Sequence, residues 1–280
     1  MSDEVMRQSV ELDAITPEFW SAKFLPTLME KLPFNSSVSN DYEGEISALG
    51  DVVRISTIPQ FDAAVEIAEN EQAEADSTTV SSTSLTINKQ IVKDYILTKK
   101  AIQQSIESQS ALRDLAIHAI MKKMQSIIIA AIVPSASAPD HSISYDSSTT
   151  LVLADILEGK ELLDGADVEE LGRSMILGAA QYNDLFNISG FVSRDFNTGG
   201  SPLSTGAISQ PVAGFDVKWT SEVGNTAYLF HPMFLQLAVQ QLPEVGVFNL
   251  GGEGKRAFRI NMDVLFGLAQ VSNLRVATIG

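Results

Sequence analysis

The sequence predicts an α+β fold, and three features predict it. A strand, a long acidic loop and a second strand follow one another between Gly50 and Val92. A single long helical stretch comes next, and beyond a polar loop at 135–148 short helices and strands alternate.

The first element is a helix. Thr16-Pro17-Glu18 supplies a cap, a proline at the first position and an acid in the first turn. Phe19, Trp20, Phe24, Leu25, Leu28 and Leu32 then form an apolar stripe, which serves either the core or a docking face on another subunit, and Pro26 kinks or splits it.

Gly50 to Thr57 alternates as a half-buried strand, and in a second strand from Thr79 to Val92 the residues Leu85, Ile87, Lys89 and Ile91 share one face. The pair reads as a hairpin. Its connection, Gln60 to Thr78, holds no Lys or Arg and carries the acids Asp62, Glu66, Glu69, Glu71, Glu74 and Asp76. Hairpin loops usually have about two to five residues, and longer structureless loops are uncommon unless they bind something. An isolated hairpin is barely stable in water, so this arm needs a surface, supplied by a neighbouring copy of the chain.

From about Thr98 to Ile132 glycine and proline are absent, and Ile102, Ile106, Leu112, Leu115, Ala119, Ile120, Met124 and Ile127 recur at near-helical spacing until Pro134. This spine would span on the order of 50 Å. Further on, a helix is expected over Asp155–Leu163, a buried strand over Arg173–Leu177 and a short helix over Ala179–Phe186. Strands follow in Gly214–Trp219 and Thr226–Phe230, then a helix over Pro232–Gln241 and paired strands from Arg256 to Ile279.

Composition narrows the function. With 280 residues, 45% hydrophobic and 19% charged, the chain can bury a sizeable core. No apolar run reaches the roughly 20 residues of a membrane span, and the acidic start lacks the character of a secretory signal. There is no cysteine, which excludes disulfides and thiolate sites. A net charge of -16 argues against a dedicated nucleic-acid binder, though an inert wall facing DNA is compatible with it.

Chemical motifs are missing. Gly251-Gly-Glu-Gly-Lys255-Arg256 lacks the leading glycine and the Ser or Thr of a phosphate-binding loop and reads as a turn between strands. His118, His141 and His231 form no metal-binding pair; His118 reads as a boundary side chain of the spine and His231 as the start of a helix. No catalytic residue, cofactor or metal is expected. The acidic arm is instead matched by Lys89, Lys93, Lys99, Lys100, Arg113, Lys122 and Lys123 on the second strand and spine, where only Asp94, Glu107 and Asp114 oppose them. Between neighbours this is complementary, although each exposed pair contributes under about 1 kcal/mol.

In order and spacing these segments resemble the major capsid proteins of tailed bacteriophages, with the Hong Kong 97-like fold. The resemblance is carried by Phe19-Trp20, by Asn40-Asp-Tyr-Glu-Gly-Glu-Ile46, by Gly50-Asp-Val-Val-Arg-Ile55, by Arg173–Leu177, by Gly214–Ser221 and by His231–Gln241. It implies an N-terminal arm (1–48), an extended loop (49–92), a peripheral domain with the spine helix (93–163), an axial domain (164–247) and return strands of the peripheral domain (248–280). It further implies pentamers and hexamers that close into an icosahedral shell around double-stranded DNA, in a virion assembled in the host cytoplasm. The partners it implies are many copies of the chain, a portal and a decoration protein.

Two departures matter. Some relatives lock the shell by joining a loop lysine to an asparagine next door, but no Lys occurs from Leu32 to Asn88, so that crosslink is excluded from the loop. No long helical prefix precedes Thr16, and a separate scaffolding protein is therefore expected. Two alternatives carry other expectations. A cellular nanocompartment shell of the same fold would need a cargo pocket, and a hydrolase using Glu169, Glu170 and His141 lacks geometry, because adjacent carboxylates point to different faces.

Overall fold

The computed structural model describes residues 31–42, 52–57, 66, 80–99, 106–188, 206–208, 210–250 and 257–280. The expected helix after Thr16 with Phe19, Trp20 and Phe24, the acids Asp62, Glu69, Glu71 and Glu74, and Lys100 lie outside these residues. Three α-helices are described, α1 (Ile106–Ala130), α2 (Leu153–Gly165) and α3 (Ala179–Asp184). The strands are β1 (Val52–Thr57), β2 (Ser81–Thr98), β3 (Ser142–Ile143), β4 (Ser174–Leu177), β5 (Asp216–Trp219), β6 (Ala227–Phe230), β7 (Leu235–Asn249), β8 (Ala257–Gln270) and β9 (Val276–Ile279). They form a four-stranded sheet in the order β1-β2-β8-β7 and a five-stranded sheet in the order β3-β9-β6-β4-β5.

The hairpin is present, with Val52–Thr57 antiparallel to Ser81–Thr86. Its second strand continues to Thr98, beyond the expected end at Val92, because Tyr95, Ile96 and Leu97 find partners on β8. Residue Thr98 is therefore strand and not the start of the spine.

Leu85, Ile87, Lys89 and Ile91 do not share one face. Ile87 pairs with Gly267 but Lys89 pairs with Phe266, so Asn88 is an extra residue in β2. A bulge of this kind shifts the alternation by one. Leu85 and Ile87 pack with Ile55, Ala238 and Ala269 on one side of the sheet. Ile91 packs with Met262, Val264 and Phe266 on the other, against the spine.

Helix α1 buries Ala116, Ile120, Met124 and Ile128, one residue per turn, and ends at Ala130 ahead of Pro134. Its 25 residues span about 37 Å. The core beneath it joins both sheets, since Ile176, Phe230 and Val276 of the five-stranded sheet belong to the same cluster as Ile91 and Phe266. The opposite face of that sheet, with Met175, Leu177 and Leu229, packs on Ile156 and Leu163 of α2. Strand β4 is thus covered on both faces, which is why Ser174–Leu177 is buried throughout.

Two expectations are corrected. The segment expected as a helix over Pro232–Gln241 is a single 3₁₀ turn, Pro232–Phe234, followed by the long strand β7. Leu, Ala and Gln favour a helix locally, but pairing along β8 overrides that preference, and Pro243 and Gly246 would break a helix continued from it. The last strands do not pair with each other either. Strand β8 lies between β2 and β7, whereas β9 joins β6 and β3 in the other sheet.

Candidate functional site

The basic candidate contact residues that the structure describes sit on β2, just beyond its end and on α1. Lys89 and Lys93 are exposed on β2, Lys99 is exposed just beyond its end, and Arg113 and Lys123 are exposed on α1. Lys89 and Lys93 stand opposite Phe266 and Met262, so they point to the spine side of the sheet. Two of the set have partners within the chain: Lys122 lies 3.8 Å from Glu222, and Arg113 lies 3.6 Å from Asp114. Asp94, expected to oppose the lysines, is engaged across the strand by Arg259. Of the six acids only Glu66 is described, and it is exposed.

Contacts that the sequence reading missed tie residues 31–38 to the spine and to the five-stranded sheet. Phe34 is fully buried and stacks with Phe230 at 5.9 Å between ring centres, with Tyr228 edge-on at 5.5 Å. Its backbone N–H donates to the Oε1 atom of Gln125, a fully buried amide in the C-terminal part of α1. The Gln125 amide donates in turn to Glu222 and Thr220, and the Thr220 hydroxyl donates to the Lys31 carbonyl at 2.8 Å. The side chain of Asn35 adds a bond to the Met121 carbonyl. Residues 31–38 therefore act as a strap across the spine and the end of β5.

Under this strap opens a cleft of about 740 Å³. Its walls come from the strap, from α3 and from the C-terminal end of β5, and two cations stand on it. Lys31 places its ammonium 4.0 Å from the centre of the Trp219 ring, and Lys218 reaches the Ser37 hydroxyl at 2.9 Å and Asp216 at 3.5 Å. The phenol oxygen of Tyr182 accepts the Ile208 N–H at 2.9 Å and holds the far wall.

At the other end of β4 the loop between α2 and Ser174 is braced by ions. Arg173, almost completely buried, donates to the carbonyls of Val168 and Glu169 and to the Asp164 carboxylate at 2.6 Å. Lys160 and Arg173 beside Asp164 hold its carboxyl below the usual carboxylate range. Glu169 is lowered as well, first by its own backbone N–H and then by Arg275, 3.2 Å away. His231 beneath this loop is held lower than an ordinary histidine by burial.

The hydrolase geometry is not assembled. Glu169 sits with Arg275 and His231, while His141 is buried with its Nδ1 atom 3.0 Å from the Val276 carbonyl. Among the described residues no group of acids and histidines is placed to hold a metal ion, and no helix is long and apolar enough to cross a membrane.

A family model for phage capsid protein matches residues 37–247. The chain belongs to the phage capsid protein family. The match runs from the end of the strap into β7 and takes in the hairpin, the spine and strands β3 to β6, while β8 and β9 lie beyond it. Solved structures agree on the fold of this capsid protein. One from Mycobacterium phage Che8 has a TM-score of 0.69 at 19% identity, over 94% of this chain and 96% of that one. The capsid structure of the cyanophage P-SCSP1u gives 0.71 at 12% identity, over 93% and 91%. The capsid asymmetric unit of cyanophage Pam1 gives 0.66 at 13% identity, over 95% and 97%. The fold is the Hong Kong 97-like capsid fold, a bacteriophage major capsid architecture. No curated protein sequence matches the chain.

Proposed function

We propose that this capsid protein self-assembles as pentamers and hexamers into an icosahedral phage head enclosing double-stranded DNA. The observation that carries the proposal is the capsid-family match across 37–247, on a chain whose two sheets share one core and whose β1–β2 hairpin continues β2 past its pairing with β8. A rigid body with a projecting arm suits shells in which one chain must occupy several similar environments.

Within that proposal residues 1–48 form the N-terminal arm, 49–92 the extended loop, 93–163 the peripheral domain, 164–247 the axial domain and 248–280 the returning strands. The arm acids Asp62, Glu66, Glu69, Glu71 and Glu74 meet Lys100 and the exposed Lys89, Lys93, Lys99, Arg113 and Lys123 of a neighbour, and Phe19, Trp20 and Phe24 dock on an adjacent subunit. Lys122 contributes less, because Glu222 already engages it. A scaffolding protein, a portal and a decoration protein are the expected partners, with DNA contacted non-specifically during assembly in the host cytoplasm.

Light scattering with negative-stain microscopy, run before and after a salt step, tests this. Closed particles, or capsomers that assemble when scaffold is added and loosen with salt, are expected. A salt-indifferent monomer that never assembles with scaffold would reject it.

A further inference from the structure

Leu171 is 88% exposed, the most exposed of the large hydrophobic side chains among the described residues. A single exposed leucine is ordinarily unremarkable. This one stands on a braced loop. Arg173 ties the loop at Val168, Glu169 and Asp164, and Arg275 holds Glu169. Asp167 and Gly172, on either side of the apex, have φ of 51° and 84°, so the chain turns sharply there. The result is an apolar knob flanked by two exposed carboxylates, Glu169 and Glu170, whose shape is set before any contact forms.

The cleft beneath the strap is its chemical opposite. Pro33, Tyr182, Val217 and Trp219 offer apolar surface, and Lys31 and Lys218 supply positive charge on a chain of net charge -16. Its volume of about 740 Å³ has room for a leucine and the loop apex around it. Knob and cleft lie at opposite ends of β4. The knob precedes Ser174, whereas the cleft is built from α3, which follows Leu177, and from the far end of the parallel strand β5. One chain therefore cannot insert its own knob into its own cleft.

We propose that the Glu169–Leu171 knob of one copy seats in the Lys31–Trp219 cleft of the next. Such a contact is head-to-tail, and repeated by rotation it closes a ring. The apolar side chain fills the cleft while Glu170 faces Lys31 and Lys218, which selects the orientation. The inference rests on the shell reading above.

The chain has no cysteine of its own, so paired cysteines report the contact directly. The double variant Leu171→Cys with Ala179→Cys, treated with a short bis-maleimide after assembly, is expected to give a ladder of covalent multimers. Each single variant is expected to give monomer. Leu171→Asp, at a position too exposed to matter for folding, is expected to lower the assembled fraction about tenfold with an unchanged Tm. Glu170→Lys and Lys31→Glu should each weaken assembly and together restore it. Assembled double variant without a ladder, dimers from Leu171→Cys alone, or wild-type yield from Leu171→Asp would each overturn the contact while leaving the shell reading intact. A wild-type protein that never assembles would instead overturn the shell reading and this contact with it.

Discussion

The side-chain amide of Gln125, in the C-terminal part of α1, donates to the Glu222 carboxylate at 2.7 Å. The same fully buried amide accepts the Phe34 N–H and reaches the Thr220 hydroxyl, so one glutamine joins the strap, the spine and the loop after β5. Buried polar groups with satisfied partners specify one arrangement of the elements they connect. Here that arrangement fixes the strap and the loop after β5 against the spine.

Replacing Gln125 with Leu keeps the volume but leaves the Phe34 N–H without its acceptor and removes one donor from Glu222. A buried group stripped of its partner costs about 1–3 kcal/mol. The expected outcome is a Tm lower by roughly 2–10 °C in a thermal melt of the unassembled protein. An unchanged Tm would mean that the Gln125 bonds contribute nothing to stability.

Gly267 faces the bulge in β2, and a Cβ placed there would come within 2.5 Å of the Thr86 carbonyl oxygen. Gly267→Ala must therefore push β2 away at the root of the hairpin, at a cost of about 1–3 kcal/mol. Hydrogen exchange should rise in β1 and the Ser81–Ile87 part of β2 and stay unchanged in α1. Uniform loosening of both would show that the bulge is not a local hinge.

Asp164 shows the pH dependence most directly. Its folded pKa is lowered, so its contribution to stability is complete above the ordinary value near pH 4 and is lost as pH falls through the lower folded value. Protonation then leaves the buried Arg173 without its carboxylate. Asp164→Asn should bring that loss to neutral pH and flatten the acid limb of a Tm-against-pH curve. Retention of the wild-type acid limb in the variant would assign it to other carboxylates.

Deleting Gln60–Thr78 is expected to abolish closed particles while leaving the melting of the isolated subunit nearly unchanged, because in the proposed assembly the arm acts on a neighbour. Lys93→Glu should move the salt concentration at which particles loosen to a lower value, by a modest amount, since exposed pairs are individually weak. Scattering across a salt series reads both. Normal particles from the deleted chain would remove the arm from the assembly mechanism.

Much of the architecture was legible in the chain. Local patterns identified β1, β4, β5, β6, α2 and α3 nearly residue for residue, because each is short, bounded by turn residues and periodic in its own right. The order of strand, acidic loop, strand and long helix pointed to the capsid family before any packing was known. The contact residues were only partly legible. Lys89, Lys93, Lys99 and Lys123 are exposed as expected, but Lys122 is taken by Glu222, a residue 100 positions away that no local pattern connects to it.

What the sequence by itself determined was the inventory: which segments can be helix or strand, that no thiol chemistry is possible, and that charge is segregated between an acidic loop and a basic spine. What only the tertiary structure decided was everything that depends on a distant partner. Strand β7 overcame its helical composition because β8 offered it a ladder of hydrogen bonds. Asn88 became a bulge because Ile87 and Lys89 pair with adjacent residues of β8. Strands β8 and β9 went to different sheets, and Leu171 stayed outside while the neighbouring Arg173 was buried as its brace. Propensity and periodicity act over a few residues, whereas register, burial and ion pairing are settled by what meets each segment after the chain has folded back on itself.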